Sequence, residues 1–280
     1  MDSSTVFRPL AYDIAVLIPC YNNRDGLVKS LKSIVYQPNK LFVVVVDDGS
    51  QIPVNHEELT KLGDLYLPIH IIRLETNKGI TRALNTGLQW MEENLAIKYI
   101  ARLDCGDLCH EDRFHKQASF LDQNPEVGLL GTWCTFQNPM SGFSYTYTTP
   151  TTHEAILSAM HYRNVFIHPT VMFRAELLSL VGQYPSGWSL VEDYALFFKM
   201  LHKTKGAILD CFLVTCEINA AGISVSNRKA QLKARQRVVA AFGISTFYKI
   251  LGRNKLLIQR CLPYKVILYL KGKVRGNKLI

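Results

Sequence analysis

The sequence predicts an α/β protein with a mixed, mostly parallel central sheet flanked by helices and a basic helical extension at its C-terminus. Three observations support this prediction. Short apolar runs such as 41–46 alternate with segments of helical periodicity, which is typical of βαβ units. Acidic turns at 47–50 and 104–107 each close an apolar run. From residue 218 onward the chain contains 14 lysines and arginines and no acidic residue.

The first half of the chain predicts a regular alternation of strands and helices. Five short apolar runs stand out, and three of them are rich in β-branched residues, which is typical of buried strands. We expect strands at 14–19, 41–46, 69–74, 99–103 and 127–131. Between these runs, apolar residues recur three or four positions apart, as they do on one face of a helix. We expect helices at about 24–36, 80–94 and 111–123.

The second half of the chain is less regular. Residues 137–152 are rich in Ser, Thr, Pro and Tyr, and they predict a loop or a hairpin. The sequence Thr151-Thr152-His153-Glu154 resembles a capping box that opens a helix. Glu192-Asp193 begins an apolar helix. From residue 228 onward we expect two or three helices, one of them broken near Pro263.

Charge divides the chain into two predicted domains, a body at 1–217 and a basic helical C-terminal extension at 218–280. The body contains 18 basic and 23 acidic residues, whereas the extension is only basic. We expect the extension to form amphipathic helices that lie on an anionic membrane surface. The alternative is a patch for the phosphate backbone of nucleic acid. No zinc-finger or RNA-binding signature accompanies it, so we expect no nucleic-acid partner. A basic helical bundle packed on the body is the third possibility.

Cysteine usage and the N-terminus predict where the protein resides. The seven cysteines are odd in number, and several lie in apolar runs, which favours free thiols in a reducing compartment. The first residues lack the pattern of a signal peptide. No apolar window approaches the roughly 18 to 20 residues needed to span a bilayer. We therefore expect a cytoplasmic protein, peripheral at the inner face of the cell membrane.

The two acidic turns are expected at one edge of the sheet. The carboxyl ends of parallel strands form the edge where open α/β sheets bind ligands. The first strand is not followed by the glycine-rich dinucleotide fingerprint or by a P-loop, so a glycine-rich helix start is not expected to hold a diphosphate. A divalent cation bound by carboxylates and phosphate oxygens is the other common arrangement, and 104–107 suits it. The alternative is that Asp107 caps the next helix and Asp104 holds the turn.

These motifs together resemble the family 2 inverting glycosyltransferases. No single match is specific, but their order and spacing agree over residues 12–205. The matching segments are Pro19-Cys20-Tyr21-Asn22, Val46-Asp47-Asp48-Gly49-Ser50, Asn77-Lys78-Gly79, Ala83-Leu84-Asn85-Thr86-Gly87, Ala101-Arg102-Leu103-Asp104-Cys105-Gly106-Asp107, Asp112-Arg113-Phe114, Asn124-Pro125-Glu126-Val127-Gly128 and Glu192-Asp193-Tyr194.

The resemblance implies a nucleotide-diphospho-sugar transferase fold, one-step sugar transfer with inversion and a divalent cation, Mn²⁺ or Mg²⁺. Residues 1–217 would then be the catalytic domain. Asp193 would be the catalytic base, supported by Glu192, and Asp48 would reach the uracil of a UDP-sugar. The residues expected to contact the donor are Pro19, Tyr21, Asn22, Asp48, Arg82 and Asp104.

The metal motif departs from the family pattern. The family's Asp-x-Asp places its second carboxylate at position 106, where this chain has glycine. Asp104 and Asp107 are the expected metal ligands. Either Asp107 replaces the missing carboxylate, or the cation is held weakly and water and phosphate complete its shell. His168 is a third candidate ligand or a diphosphate contact. The alternative for His168 is a polar residue satisfied at the start of a strand.

The sequence therefore predicts a glycosyltransferase that moves a sugar, a hexose or an N-acetylhexosamine, from a nucleotide-diphospho-sugar to a glycan or lipid-linked acceptor in surface polysaccharide biosynthesis. The base would take the proton of the acceptor hydroxyl, and burial against Trp188 would raise the pKa of Asp193 toward a useful range. The alternative for Glu192-Asp193 is two acidic residues that favour a helix N-terminus. Two other functions stay open: a sugar nucleotidyltransferase, and a non-catalytic module that binds glycan or membrane.

Overall fold

The computed structural model describes residues 10–55, 57, 59, 67–218 and 228–261. The described strands are β1 (Leu10–Cys20), β2 (Leu41–Asp47), β3 (Ile69–Arg73), β4 (Leu95–Arg102), β5 (Leu108–Cys109), β6 (Val127–Gln137), β7 (Ser144–Tyr147), β8 (Met172–Arg174) and β9 (Lys205–Glu217). The described α-helices are α1 (Arg24–Lys32), α2 (Ile80–Asn94), α3 (Arg113–Gln123), α4 (His153–Met160), α5 (Leu177–Val181), α6 (Glu192–Leu201), α7 (Arg228–Phe242) and α8 (Thr246–Cys261). A 3₁₀ turn, His168–Thr170, precedes β8.

The described strands form one mixed sheet in the order β3-β2-β1-β4-β8-β6-β9-β5, and β7 pairs with β6 at the side. The first four strands in this order are parallel. Strand β8 runs antiparallel to both of its neighbours, and β6 and β9 are parallel again. This arrangement confirms the predicted mixed α/β sheet flanked by helices.

The register of the parallel strands brings their carboxyl ends to one edge. Cys20, the last residue of β1, lies opposite Asp47 at the end of β2. On the other side of β1, Leu17 lies opposite Arg102 at the end of β4. The loops that follow β1, β2 and β4 therefore leave the sheet side by side. Both acidic turns lie at this edge, as the sequence predicts.

The alternation of side chains in β2 gives the sheet two apolar faces. Val44 and Val46 belong to a core that includes α2 and α6, whereas Val43 and Val45 belong to the core beneath α1 and α3. All seven residues of β2 are buried, because helices cover both faces. The sheet is thus rigid where its loops begin, and this rigidity fixes the positions of side chains at its edge.

Several element boundaries differ from the sequence predictions. Helix α1 ends at Lys32 instead of near residue 36. Strand β4 begins at Leu95, directly after α2, because tertiary pairing with β1 extends it beyond the apolar run. Strand β6 extends to Gln137 and forms a hairpin with β7. The predicted capping box is wrong, since Thr152 makes no side-chain cap hydrogen bond to α4.

The described C-terminal helices pack on the body. Leu232, Val238 and Val239 of α7 and Leu256 of α8 lie in the same apolar core as α6. The boundary predicted near 218 and the helix break at Pro263 lie outside or at the limit of the described residues. Among the helices that the structure describes, none combines the length and the apolar character that crossing a bilayer requires.

Candidate active site

The loop after β1 is tied to the loop after β2 by two hydrogen bonds. The backbone N–H of Asn22 donates to Ser50 Oγ at 2.9 Å, and Gln51 N–H donates to Asn22 Oδ1 at 2.8 Å. Asn22 adopts a positive φ of 50°, which Asn tolerates better than most residues. Tyr21 is exposed beside it, whereas Pro19 is buried in the β1–β2 ladder. Two hydrogen bonds therefore hold Asn22 at the edge of the sheet, and Tyr21 lies exposed next to it.

The two aspartates that follow β2 make different contacts. Asp47 is fully buried, and its carboxylate accepts hydrogen bonds from Ser50 N and Val54 N, so it stabilises its own turn. Asp48 accepts from Lys78 N at 2.8 Å and from Gly79 N at 2.9 Å. Asp48 thereby clamps the turn that opens α2.

Helix α2 presents the next predicted donor contact. Gly79 is the N-cap of α2 and has a φ of 84°, a conformation that favours glycine. Arg82 follows in the first turn of α2, and its side chain is exposed. The clamp by Asp48 therefore fixes the position from which Arg82 extends at the sheet edge.

Arg102 at the end of β4 is completely buried and holds the second acidic turn. Its guanidinium donates to Asp104 Oδ1 at 2.6 Å and also to the carbonyl oxygens of Leu17 and Leu103. The Asp104 side chain remains 43% exposed. Asp104 is therefore a carboxylate that is held on one side and open to solvent on the other.

His168 is engaged by two neighbours. Arg102 Nε donates to His168 Nε2 at 3.2 Å, so this ring nitrogen is an acceptor, and Tyr184 Oη lies 2.7 Å from the same nitrogen. Burial and the adjacent Arg102 lower the pKa of His168 well below its usual range. The lowered pKa favours the neutral ring, and the hydrogen bond from Arg102 already uses the lone pair of Nε2.

Asp107 faces β9, away from the exposed side of the turn. Its carboxylate accepts from Glu217 N at 2.8 Å, and burial together with Asp104 raises the pKa of Asp107 to about 8. Gly106 has a φ of 107°, and a Cβ at this position would lie 3.2 Å from Glu217 Oε2. The carboxylate of Glu217 therefore lies beside the position where the family pattern has an acidic side chain.

The three predicted metal ligands do not form one ligand set. Asp104 offers an exposed carboxylate, Asp107 binds a backbone N–H of β9, and His168 accepts from Arg102. Within the described part of the chain, no group of three His, Cys, Asp or Glu side chains could hold a metal ion. The residues present therefore fit a cation shared with phosphate oxygens through Asp104, but they do not fit a cation held by protein groups alone.

Glu192 and Asp193 form the acidic start of α6, and the pKa of each carboxyl is raised. Burial and the neighbouring Asp193 raise the pKa of Glu192 to about 7. Its Oε2 is buried and makes no hydrogen bond. Burial raises the pKa of Asp193 to about 6, although Tyr194 N–H and Arg235 act in the opposite direction. Both groups can thus exchange protons near neutral pH.

Asn164 orients the carboxylate of Asp193. Its Nδ2 donates to Asp193 Oδ2 at 2.9 Å, and Phe166 N–H donates to Asn164 Oδ1, which fixes the orientation of the amide. Asp193 Oδ1 accepts from Tyr194 N–H at 2.7 Å. Each carboxylate oxygen therefore has one donor and keeps lone pairs for a further partner.

Residues 15–181 match the sequence pattern of glycosyl transferase family 2. The chain belongs to glycosyl transferase family 2. This finding confirms the resemblance seen in the sequence, and with the curated relatives below it confirms that the protein is a glycosyltransferase. The matched segment contains the loops after β1, β2 and β4, and it ends before α6.

Two curated relatives indicate the biological context of this glycosyltransferase. The chain is 31% identical over 190 residues to the amylovoran biosynthesis glycosyltransferase AmsE of Erwinia amylovora, covering 67% of this chain and 69% of AmsE. It is 31% identical over 162 residues to the UDP-Gal:alpha-D-GlcNAc-diphosphoundecaprenol beta-1,3-galactosyltransferase of Escherichia coli, covering 57% of this chain and 56% of that enzyme. Polysaccharide biosynthesis is thus the context that these relatives support.

Two solved structures share the fold of this family 2 glycosyltransferase. S. aureus TarS 1–349 in complex with UDP superposes with a TM-score of 0.63 at 16% identity, covering 95% of this chain and 76% of that chain. The mannosyltransferase PcManGT from Pyrobaculum calidifontis, in complex with GDP-Man and Mn²⁺, superposes with a TM-score of 0.63 at 18% identity, covering 91% and 70%. These likenesses confirm the predicted fold.

Sequence reasoning missed several residues that support the site of this glycosyltransferase. Asn164 contacts the Asp193 carboxylate from 29 residues away along the chain, and Tyr184 contacts His168 from 16 residues away. Arg102 contacts Asp104 from two residues away. The Arg-Leu-Asp sequence at 102–104 was visible, yet only the structure shows the guanidinium bonded to the carboxylate. Leu190, just before α6, has a positive φ of 73°, an uncommon backbone conformation of the kind that clusters at functional sites.

Proposed function

We propose that this protein is an inverting glycosyltransferase that transfers a sugar from a UDP-sugar to a lipid-linked glycan acceptor. One observation carries the proposal. Asp193 is an oriented carboxylate whose pKa of about 6 suits a base that works near neutral pH. It lies at the start of α6, in a family whose members transfer glycosyl groups.

The donor is proposed to bind at the edge of the sheet between the first two loops and α2. Tyr21, Asn22 and Asp48 would contact the nucleoside, and Arg82 would reach the base or a phosphate. The hydrogen bonds from Lys78 and Gly79 to Asp48 support this assignment, because they hold the loops in one arrangement before donor binds. A UDP donor is supported by the structure of TarS in complex with UDP and by the E. coli relative, which uses UDP-Gal.

A divalent cation, Mn²⁺ or Mg²⁺, is proposed to bind with the donor through Asp104. When bound, it would stabilise the negative charge that develops on the leaving diphosphate. Asp104 is the exposed carboxylate among the predicted ligands, and Arg102 keeps it in place. The Mn²⁺ in the mannosyltransferase complex supports a cation in a protein of this fold.

The chemistry proposed for this chain is proton removal from the acceptor hydroxyl. A hydroxyl attacks poorly until a base takes its proton during the attack. Asp193 would take that proton, and the hydrogen bond from Asn164 would keep the receiving carboxylate in place. Glu192 would support Asp193 from the adjacent position, where burial and the charge of Asp193 raise the pKa of Glu192 to about 7. A single base on the face opposite the leaving diphosphate would give inversion.

The acceptor is proposed to be lipid-linked, and the enzyme is proposed to work at the cytoplasmic face of the cell membrane. The diphosphoundecaprenol acceptor named for the E. coli relative supports the acceptor class. The basic extension at 218–280 would hold the enzyme there, because cytoplasmic leaflets carry anionic lipids.

The base assignment is tested by Asp193→Asn, with Asp112→Asn as a matched control on the exposed start of α3. Transfer should fall by more than about tenfold while UDP binding, followed by thermal shift with and without Mn²⁺, stays close to that of the parent. A variant that keeps more than about a tenth of the rate would refute the role of Asp193. Pyrophosphate release from UTP would instead indicate a nucleotidyltransferase.

A further inference from the structure

Helix α8 presents an outward stripe of large apolar side chains. Phe247 is 66% exposed, Ile250 is 56% exposed and Ile258 is 57% exposed, and Leu251 and Leu257 are also exposed. At about 100° per residue, these five positions fall within about 120° of the helix circumference. We call these five residues the outer stripe of α8.

The opposite side of α8 is already used for packing. Leu256 is buried in the main core, and Gly252 lies so close to the His161 carbonyl that a Cβ would overlap it. His161 Nε2 also accepts from the backbone N–H of Ile244, in the turn between α7 and α8. The inner side therefore fixes α8 to the body, and this contact determines that the outer stripe faces outward.

Basic residues flank the outer stripe on both sides. Arg253 and Lys255 are exposed, and on the helical wheel each lies about 40° beyond one edge of the stripe. The Lys255 ammonium lies over the Tyr162 ring, 5.1 Å from its centroid. The whole segment from 218 to 280 contains no acidic residue. An apolar stripe between cationic side chains is the pattern of a helix that lies in a membrane interface, with its apolar side chains below the headgroups.

We propose that the outer stripe of α8 is the surface by which the enzyme inserts into an anionic lipid surface. The basic side chains beside the stripe favour a lipid surface over a second copy of this chain. A second copy of this chain would bring Arg253 and Lys255 of both subunits together, whereas anionic headgroups would complement them. The inference rests on the proposed peripheral location, but it does not depend on the donor or on the assignment of Asp193 as base.

The same helix connects the stripe to the proposed base through its inner side. His161 contacts the α7–α8 turn, and Asn164, three residues later, donates to Asp193. Insertion of the stripe would therefore hold the start of α6 at a fixed place relative to the lipid headgroups. This geometry suits an acceptor whose diphosphate lies at the membrane surface.

The test is vesicle sedimentation of the full chain and of the triple variant Phe247→Ser/Ile250→Ser/Ile258→Ser. The parent should bind phosphatidylcholine vesicles containing about 30% phosphatidylglycerol and should bind pure phosphatidylcholine poorly. The triple variant should partition at least about tenfold less. Leu180→Ser, at a 60% exposed leucine of α5, is the matched control and should bind like the parent. Circular dichroism checks that each variant is folded.

Two further measurements separate the explanations. Arg253→Gln should weaken binding to the anionic vesicles, and high salt should reduce this difference. Equal vesicle binding by the parent and the folded triple variant would overturn the inference. So would a parent dimer that the triple variant converts to a monomer in light scattering, because the stripe would then bind a second copy. UDP thermal shifts should be unchanged in the triple variant, so failure of the donor proposal is seen separately.

Discussion

Replacing Asn164 by alanine tests how the proposed base is tuned. Asn164 Nδ2 donates to Asp193 Oδ2 at 2.9 Å, and no substrate is needed to form this bond. The bond stabilises the ionised carboxylate, so its loss must raise the pKa of Asp193. Alanine leaves no donor in its place. The variant should therefore need a higher pH to reach the same fraction of ionised base.

The size of the change follows from the bond that is lost. Hydrogen bonds to charged groups contribute about 1.5–3 kcal/mol, and one pKa unit corresponds to about 1.4 kcal/mol. Tyr194 N–H and Arg235 continue to lower the pKa of Asp193 in the variant, so we take the lower end of this range. From a value of about 6, the pKa of Asp193 should rise by about one unit.

The assay is kcat/KM for sugar transfer as a function of pH. Transfer requires the ionised base, so the rate falls as the pH drops below the pKa of Asp193. A rise of one unit should reduce kcat/KM about fivefold near pH 6 and leave it nearly unchanged near pH 9. The acidic limb of the profile should therefore move toward higher pH in the Asn164→Ala variant.

A matched control separates tuning from general damage. Like Asn164, Asn124 donates a hydrogen bond through its side-chain amide, but its acceptor is the backbone carbonyl of Phe120 near the end of α3 instead of Asp193. Asn124→Ala should lower stability without moving the acidic limb. A folded Asn164→Ala variant with an unmoved limb would refute the reasoning, since either the bond or the role of Asp193 would be wrong.

Two other substitutions test the acidic turns. Asp48→Ala removes the carboxylate that accepts from Lys78 N–H and Gly79 N–H. The dissociation constant of UDP, measured by calorimetry, should therefore rise at least about tenfold. An unchanged affinity would contradict the proposed donor site. Gly106→Asp places a carboxylate where the family pattern has one, but the φ of 107° and the nearby Glu217 carboxylate are both unfavourable for it. The free energy of unfolding, measured by urea titration, should therefore fall by about 1–3 kcal/mol. Gly106→Asn should show only the loss caused by the backbone conformation, because its side chain is uncharged.

The sheet could be predicted from the sequence because its strands are marked locally. The run at 41–46 is apolar throughout, and both of its faces are indeed covered. Helix α2 matches its predicted range of 80–94, since its apolar face is regular. The extensions of β4 and β6 could not be read locally, because pairing with β1 and β9 determines where those strands begin and end.

The candidate site was predictable only where its residues follow a strand or begin a helix. Asp48, Asp104 and Asp193 lie in such positions, and the roles that the family pattern implies for them stay predictions. The partners Lys78 and Asn164 could not be predicted, because they contact Asp48 and Asp193 through the fold. Arg102 stands two residues before Asp104, but only the structure shows their side chains bonded. The sequence shows where an acidic residue stands, but the group that donates a hydrogen bond to its carboxylate is usually a backbone or side-chain group of another element.

The acidic turns differ in how much negative charge they leave for a ligand. Asp47 and Asp48 each accept hydrogen bonds from backbone N–H groups, which offsets the cost of burying them. Burial raises the pKa of Asp107, which favours its uncharged form despite the hydrogen bond from Glu217 N–H. Asp104 keeps an exposed side, yet Arg102 lies 2.6 Å from it and compensates its charge. Four carboxylates at one edge therefore do not create a strongly negative crevice. This balance would let the proposed dianionic diphosphate donor approach, and the proposed cation would then join the donor complex without being needed for the fold.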